Sequence, residues 1–212
     1  MNGGYDDGYR SCPCFWGNSP GSMMPQLETL FSSLNTLSAL DAGCGEGKNS
    51  AYLDSKGCKV FAFDVSKLAI SNARNSFPNL KNTTFESKGV FDKSLRLDRY
   101  DIVVAYGMLH CLANKDEIED AIRIFKAHTN PLGVHIICAF NSRRQELHAH
   151  PGFKPTCLEH SSYINMYRDY EIIFASDQDL TETHPNNGIE HTHSLTRIIA
   201  RNKVQADSPR RP

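Results

Sequence analysis

The chain contains 212 residues, and its 23 Lys and Arg nearly balance 24 Asp and Glu, for a formal net charge of −1. This length suits one domain with a full hydrophobic core, so residues 1–212 are predicted to form a single domain. The charge balance excludes a positive field that would recruit nucleic acid or an anionic membrane, and a small-molecule partner is favoured. No stretch approaches the roughly 18 apolar residues of a membrane span, and no signal peptide is recognisable.

Residues 1–24 are rich in Gly, Pro, Ser and aromatic side chains, and we expect them to form a mobile arm that acts as a lid. A helix is predicted over 25–37, where apolar side chains recur at helical spacing. The next part, 38–140, alternates apolar runs of strand length with amphipathic segments, which is typical of a parallel sheet covered by helices. The predicted strands are 38–41, 59–64, 83–87, 100–106 and 132–140. Helices are predicted over 47–55 and 115–128, and a further helix is predicted to begin at the cap Ser66 and to end before Pro78.

The pattern loosens over 141–202, which is predicted to hold an insertion on the substrate side followed by an antiparallel hairpin. Its predicted elements are a loop over 142–156, a helix over 158–168, and strands over 170–176 and 194–200. Residues 203–212 are expected to form a frayed tail. These elements indicate a doubly wound α/β fold of the Rossmann-like kind.

A glycine-rich turn follows the first predicted strand, in the sequence Asp41-Ala42-Gly43-Cys44-Gly45-Glu46-Gly47. Glycines let the backbone bend sharply and approach a ligand closely. The GxGxG spacing differs from the GxGxxG of dinucleotide sites, and an acid in front of the turn suits a ligand with an ammonium group better than a pyrophosphate. A second acid, Asp64, ends the second predicted strand, where its carboxylate would accept both hydroxyls of a ribose.

These motifs resemble the class I methyltransferases, in particular their small tellurite-resistance members. The resemblance rests on 40–50 for the first motif, on 100–104 for the fourth strand, on the aromatic-Trp-Gly arm at 15–20 and on 197–201 for the last strand. It implies a seven-stranded sheet of order 3-2-1-4-5-7-6 with an antiparallel last strand, and it implies S-adenosyl-L-methionine as cofactor. The cofactor-binding residues expected from it are Trp16, Asp41, Gly43, Cys44, Gly45, Asp64, Val65, Gly89, Val90 and Tyr106.

One departure concerns the adenine end of that site. Where the family has an acid near the end of the third strand, this chain reads Ser87-Lys88-Gly89-Val90-Phe91. Backbone at Gly89 and Val90, or the side chain of Asp92, would have to replace that contact.

The acceptor side should follow the fourth strand, and Tyr106, His110 and His193 are the catalytic candidates. A sulfonium methyl is already electrophilic, so alignment and exclusion of water matter most, and a general base is needed only for some acceptors. A histidine near a strand end is equally often a structural group, which is the alternative for His110. The final hairpin lacks the arginines of the tellurite-type enzymes over 182–190, which argues against oxyanion substrates.

Six of the nine histidines lie in the last third of the chain. His148, His150, Cys157 and His160 offer nitrogen and sulfur ligands that zinc could bind. Their spacing matches no compact site, however, so no metal is predicted. Seven scattered cysteines, an odd number, are typical of a reducing compartment, and a cytoplasmic location is expected.

The sequence therefore predicts an enzyme that moves a methyl group in line from S-adenosylmethionine to a heteroatom of a small molecule, as a monomer or homodimer. A detoxifying methyltransferase for metalloids or thiols and a non-catalytic module that only binds the cofactor remain alternatives.

Overall fold

A seven-stranded sheet forms the centre of the computed structural model, which describes residues 5–95, 97–150, 152–185 and 187–203. The strands are β1 (Ser38–Ala42), β2 (Lys59–Asp64), β3 (Thr83–Ser87), β4 (Tyr100–Tyr106), β5 (Thr129–Gln145), β6 (Glu171–Glu182) and β7 (His191–Arg201). Their order is β3-β2-β1-β4-β5-β7-β6. The pairs from β3 to β5 are parallel, whereas β7 runs antiparallel to both β5 and β6. The predicted fold class, strand order and antiparallel end are thus confirmed.

Helices cover both faces of this sheet. They are α1 (Asp6–Ser11), α2 (Leu27–Leu30), α3 (Lys48–Ser55), α4 (Lys67–Ser76), α5 (Lys115–Ala127) and α6 (His160–Met166). Side chains alternate along β1, so Ala39 packs in one apolar core and Leu40 in the other. In open sheets of this kind, ligands bind in the crevice at the carboxyl ends of the parallel strands. None of the described helices is long and apolar enough to cross a bilayer.

Two helices begin at side-chain caps, and the first of these is the predicted cap Ser66. The hydroxyl of Ser66 accepts the backbone N–H of Ala69 at 3.0 Å at the start of α4. Asn114 caps α5 by accepting the N–H of Glu117 at 2.9 Å. Such caps satisfy backbone donors that have no partner inside the helix.

Besides the ends of α6, β6 and β7, three predicted elements differ from the structure. The helix predicted over 25–37 is only a short turn over Met24–Gln26 followed by α2, because extended backbone at Phe31 ends it before a stretch rich in Ser and Asn, which favour turns. The arm contains a helix, α1, that packs against α4. Strand β5 begins before the Asn130-Pro131 pair, through an irregular register, and continues to Gln145, well into the predicted loop. Of the predicted tail, all but Lys203 lies outside the described residues.

Candidate active site

Three glycines turn the chain from β1 into α3. Their φ angles are 66° at Gly43, 53° at Gly45 and 82° at Gly47. A Cβ atom on Gly43 would lie 2.4 Å from the Cβ of Met108, and one on Gly45 would lie 3.0 Å from the hydroxyl of Tyr9. Backbone conformation and space therefore both require glycine, and the turn presents bare backbone to its surroundings.

A cavity of about 690 Å³ opens beside this turn, at the carboxyl ends of the parallel strands. Ten of the twelve predicted site residues line it: Trp16, Gly43, Cys44, Gly45, Asp64, Val65, Gly89, Val90, Tyr106 and His110. Asp41 and His193 do not belong to the lining that the described residues form. Another cavity, of about 570 Å³ between α5 and α6, shares no described lining residue with it.

Asp64 points into the glycine turn. One carboxylate oxygen accepts the N–H of Gly45 at 2.9 Å, and the other accepts the N–H of Ser66 at 2.8 Å. Burial raises the pKa of this carboxyl, while these backbone donors act in the opposite direction. A carboxylate has about four acceptor positions, so Asp64 keeps the capacity to accept ligand hydroxyls.

Asp41 lies behind the turn, with only 1% of its surface exposed. Its Oδ2 accepts the hydroxyl of Ser50 at 2.6 Å, whereas its Oδ1 has no hydrogen-bond partner within the described chain. Burial raises the pKa of Asp41 to about 6. The buried Oδ1 of Asp41 therefore lies under the glycine turn with no hydrogen-bond donor among the described residues to satisfy it.

An apolar lip borders the cavity beyond Asp64. Val65 and Phe91 are large side chains that remain 39% and 44% exposed, and both line the opening together with Val90. Asp92 also lines it, and one of its oxygens accepts the N–H and hydroxyl of Ser94 at 2.8 and 2.7 Å. Flat, open apolar walls of this kind suit an aromatic ring system.

The arm is held over the cavity by the glycine turn itself. The carboxylate of Glu46 accepts the backbone N–H of Cys14 at 3.0 Å and that of Phe15 at 2.6 Å. Lys48 donates to the carbonyl of Trp16 at 2.8 Å. Charge-assisted hydrogen bonds are the stronger class, so these contacts dock the arm onto the same element that forms the turn.

His110 lines the same cavity and is 2% exposed. Its Nδ1 accepts the backbone N–H of Phe140 at 3.1 Å, so the neutral ring carries its proton on Nε2, which lies 3.0 Å from the hydroxyl of Tyr5. Burial, together with the charges of neighbouring histidines, lowers the pKa of His110 to about 3. The ring is therefore neutral at physiological pH and has no free lone pair for a proton.

The cavity is also lined by polar side chains from three strands: Tyr106 on β4, Glu182 on β6 and Arg197 on β7. The hydroxyl of Tyr106 lies 3.2 Å from that of Ser22 in the arm. The Nε atom of Arg197 is buried without a hydrogen-bond partner among the described residues. Arg197, predicted only as part of the last strand, thus brings a cationic guanidinium to the cavity wall.

His193 belongs to a separate group of histidines behind the cavity wall. Its ring stacks on Phe140, 4.2 Å between centroids, while His110 stacks on the same phenylalanine at 4.0 Å. The structure brings His193 together with His150, His184 and His191. Of the zinc set considered in the sequence, His150 belongs to this group, and His148 lies beside it with its ring centroid 6.3 Å from that of His191. His160 instead contacts the hydroxyl of Thr196 at 3.1 Å.

The chain is similar in sequence to known methyltransferases. Residues 39–133 match the family model described as a methyltransferase domain. Three uncharacterized methyltransferases of Schizosaccharomyces pombe are 35% identical over 78 residues, which is 36% of this chain and 54% of each relative. The probable S-adenosyl-L-methionine-dependent methyltransferase TehB of Haemophilus influenzae is 26% identical over 170 residues, which is 77% of this chain and 57% of TehB. Residues 39–133 thus resemble a methyltransferase domain, and the chain is similar to S-adenosylmethionine-dependent methyltransferases such as TehB.

The solved structures agree with this assignment at the level of the fold. The structure matches the crystal structure of Haemophilus influenzae TehB with a TM-score of 0.70 at 21% identity, covering 86% of this chain and 62% of TehB. A structure described as "Conversion of a Disulfide Bond into a Thioacetal Group during Echinomycin Biosynthesis" gives a TM-score of 0.72 at 22% identity, covering 98% and 95%. The domain spans little more than half the length of the curated relatives it matches.

Several lining residues were not found from the sequence. Tyr5 and Tyr9 enter the cavity from the arm, and Glu46 and Lys48 hold that arm in place. Their only sequence signal was the cluster of aromatic residues near the N-terminus, which must be buried somewhere.

Proposed function

We propose that this domain transfers the methyl group of S-adenosylmethionine to a heteroatom of a small molecule. The observation that carries the proposal is the cavity whose lining contains the glycine turn and Asp64 together with Tyr106, His110 and Arg197. Bound S-adenosylmethionine would supply an electrophilic methyl group on a sulfonium sulfur. The residues of the chain would then have to orient the acceptor and exclude water.

The cofactor end fits S-adenosylmethionine residue by residue. The positive φ angles of Gly43 and Gly45 leave backbone free to lie along the methionine part, with the unpartnered Oδ1 of Asp41 beneath as a source of negative potential for the ammonium group. Asp64 would accept the ribose hydroxyls, and Val65 and Val90 would flank the adenine. Trp16, Cys44, Gly89 and Tyr106 complete the predicted set and also line the cavity.

The acceptor end favours a nucleophile that arrives already ionised. His110 has its Nδ1 occupied by Phe140 and is neutral, so it would position the acceptor or the arm by donating a hydrogen bond rather than by removing a proton. Arg197, with Nε unpaired, would bind an anionic group of the acceptor. This favours thiolates and oxyanions within the small-molecule class, and it gives the detoxifying alternative a specific observation in its support.

The arm would exclude water from the reaction. Trp16, Tyr5 and Tyr9 cover the cavity from the N-terminal side, and Glu46 and Lys48 hold their backbone. Water exclusion strengthens every polar interaction within a closed site. A lid role for 1–24, a cytoplasmic location and a monomeric or homodimeric state remain predictions.

The first experiment is calorimetric titration of ligand-free protein with S-adenosylmethionine, S-adenosylhomocysteine and NAD. We expect saturable binding of the two sulfur nucleotides only, weakened roughly 10- to 100-fold by Asp64→Asn because a charge-assisted hydrogen bond is lost. Asp120→Asn, which alters an acid paired with Arg123 on the surface of α5, is the matched control and should bind normally.

Turnover is then measured by mass spectrometry over a panel of thiols, oxyanions, phenols and amines. Methylation of an anionic acceptor would support the proposal in full. Binding without turnover over the whole panel would favour the non-catalytic binding module, and absence of binding by folded protein would refute the cofactor assignment.

A further inference from the structure

Four histidines converge through the same ring atom beside the acceptor end of the cavity. The Nε2 of His150 lies 3.1 Å from that of His191, 3.2 Å from that of His184 and 3.3 Å from that of His193. Glu182 lies next to them, with Oε1 3.9 Å from His184 and 4.0 Å from His191. His184, His191 and His193 are buried, and His150 is partly buried.

Hydrogen bonding cannot account for these contacts. An imidazole Nε2 carries either one proton or one lone pair, so it makes one good hydrogen bond, whereas the Nε2 of His150 has three nitrogen neighbours. Zinc binds histidine nitrogen at 2.0–2.1 Å, and two such ligands of a tetrahedral ion are separated by about 3.3–3.4 Å. The three distances around His150 are close to that separation.

Two of the rings are also held in the protonation state that a metal requires. The Nδ1 of His191 lies 2.8 Å from the carbonyl of Ile189, which only accepts, so Nδ1 carries the proton and Nε2 a lone pair. The Nδ1 of His193 lies 2.8 Å from Oε1 of Gln145. The orientation of that amide is fixed, because its nitrogen donates to the carbonyls of Asn141 and Ser194 at 2.7 and 2.9 Å. Oxygen partners of this kind typically orient metal-binding histidines.

We propose that His150, His184, His191 and His193 bind one divalent transition metal ion of the class that prefers imidazole, with Zn²⁺ as the best match to the spacing. Glu182 supplies a nearby negative charge on the cavity side, opposite His191 in the β6–β7 register. The ion joins the segment after β5 to both sides of the β6–β7 hairpin.

The place of the site gives it a role in shaping the acceptor pocket. The ring of His184 packs against Phe15 and Trp16 of the arm, at 5.1 and 4.8 Å between centroids, and His193 stacks on Phe140 of the cavity wall. A bound ion would fix the wall against which the arm closes. This inference does not rest on methyl transfer, because it concerns residues outside the cofactor end.

The test is a metal titration of untagged protein that has been stripped with a chelator. Zn²⁺ is added in competition with a chromophoric chelator, and Co²⁺ is added separately because a tetrahedral cobalt site has a characteristic visible spectrum. We expect one ion per chain, a tetrahedral cobalt spectrum, and loss of at least about 100-fold in affinity on His150→Ala or His184→Ala. His148→Ala and His160→Ala, which change histidines outside the four, should bind as the wild type does.

A further variant tests the site without removing any of the four histidines, so that the result does not depend on the folding of the histidine variants. Gln145→Leu keeps all four ligands and removes only the oxygen that orients His193, so a roughly 10- to 100-fold loss of affinity is expected. Circular dichroism checks that each variant is folded. Absence of binding by the wild type, unchanged affinity in folded His150→Ala, or an equal loss in His148→Ala would overturn the proposal. Cofactor titration is a separate measurement, so its failure would be distinguishable.

Discussion

The imidazole of His110 receives the backbone N–H of Phe140 at its Nδ1 atom, over 3.1 Å. This bond fixes the tautomer and leaves Nε2 as a donor toward Tyr5 in the arm. A residue that the sequence suggests as a base thus has the chemistry of a hydrogen-bond donor that links the cavity wall to the lid.

We expect His110 not to titrate in the pH range of activity. Its pKa is lowered to about 3, chiefly by burial, so kcat/KM should show no inflection from this residue near its usual value of about 6.5. His110→Ala should reduce turnover at all pH values without changing the shape of the profile. The measurement is the pH dependence of methyl transfer for both proteins. A limb near pH 6.5 in the wild type that disappears in His110→Ala would identify it as a base after all.

His135 should make folding sensitive to acid. It is fully buried between the hydroxyls of Thr129 at 2.7 Å and Tyr167 at 2.8 Å, and burial, with a smaller effect of Lys126, lowers its pKa to about 3. Its neutral form stabilises the fold fully above the unfolded pKa of about 6.5, and this stability is lost as pH falls toward the folded pKa.

The free energy of unfolding of His135→Gln should therefore fall less steeply between about pH 6 and pH 4 than that of the wild type. One proton corresponds to about 1.4 kcal/mol per pH unit of slope. Urea unfolding at several pH values measures this slope, and His128→Gln, which changes a partly exposed histidine bonded to the carbonyl of Asp98, is the control. Equal slopes in His135→Gln and wild type would contradict the prediction.

The sequence predicted β1 to β4 and the glycine turn well, because buried parallel strands appear as continuous apolar runs that end in turn residues. It placed the ends of β6 and β7 poorly, since their outer halves alternate Thr, Asp and His and gain their order only from pairing across the hairpin. That register places Glu182 opposite His191 and Leu180 opposite His193. The histidine group and the docked arm depend on contacts between residues more than thirty positions apart, such as Glu46 with Phe15, which local patterns do not encode.

Asp41→Asn should stabilise the protein in the absence of ligand. Because burial raises the pKa of Asp41 to about 6, its ionised form is unfavourable in the folded state, and stability is lost as pH rises from about 4 to 6. The cost near pH 7 is roughly 3 kcal/mol. An amide would leave an unpaired N–H at the Oδ1 position, which costs about 1 kcal/mol or more, so a net gain of about 1–2 kcal/mol is expected.

Unfolding experiments with Asp41→Asn near pH 7 and pH 4 test this directly. The gain should disappear near pH 4, where the wild-type carboxyl is largely protonated in the folded state. The same variant should bind S-adenosylmethionine more weakly if the carboxylate acts on the ammonium group. If Asp41→Asn lowers the free energy of unfolding equally at both pH values, ionisation of Asp41 does not destabilise the folded state.

Arg197→Met should impair binding of the acceptor and not of the cofactor. The guanidinium lies in the cavity wall beside Tyr106 and Glu182 with its Nε unpaired, so its removal leaves an anionic acceptor without its main partner. We expect the KM of an anionic acceptor to rise roughly 10- to 100-fold. The KM of Arg197→Lys should lie between those of the wild type and Arg197→Met, since lysine keeps the positive charge but lacks the paired N–H donors of the guanidinium. Arg123→Met on the surface of α5 is the control, and a KM that Arg197→Met leaves unchanged would exclude this role.

Glu46→Gln should loosen the arm. Its carboxylate binds the backbone N–H groups of Cys14 and Phe15, and an amide can replace only one of these acceptor oxygens. Arg10 lies in the arm with an exposed side chain, so trypsin cleavage after it reports how often the arm leaves the protein. Loss of one charge-assisted bond should speed this cleavage roughly tenfold.

S-adenosylmethionine should slow this cleavage in the wild type, because ligand that binds the closed form stabilises that form. Glu28→Gln alters an exposed carboxylate outside the arm that bonds Tyr52, and it should leave the rate unchanged. Equal cleavage of Glu46→Gln and wild type, with and without cofactor, would show that the arm is not held as a lid.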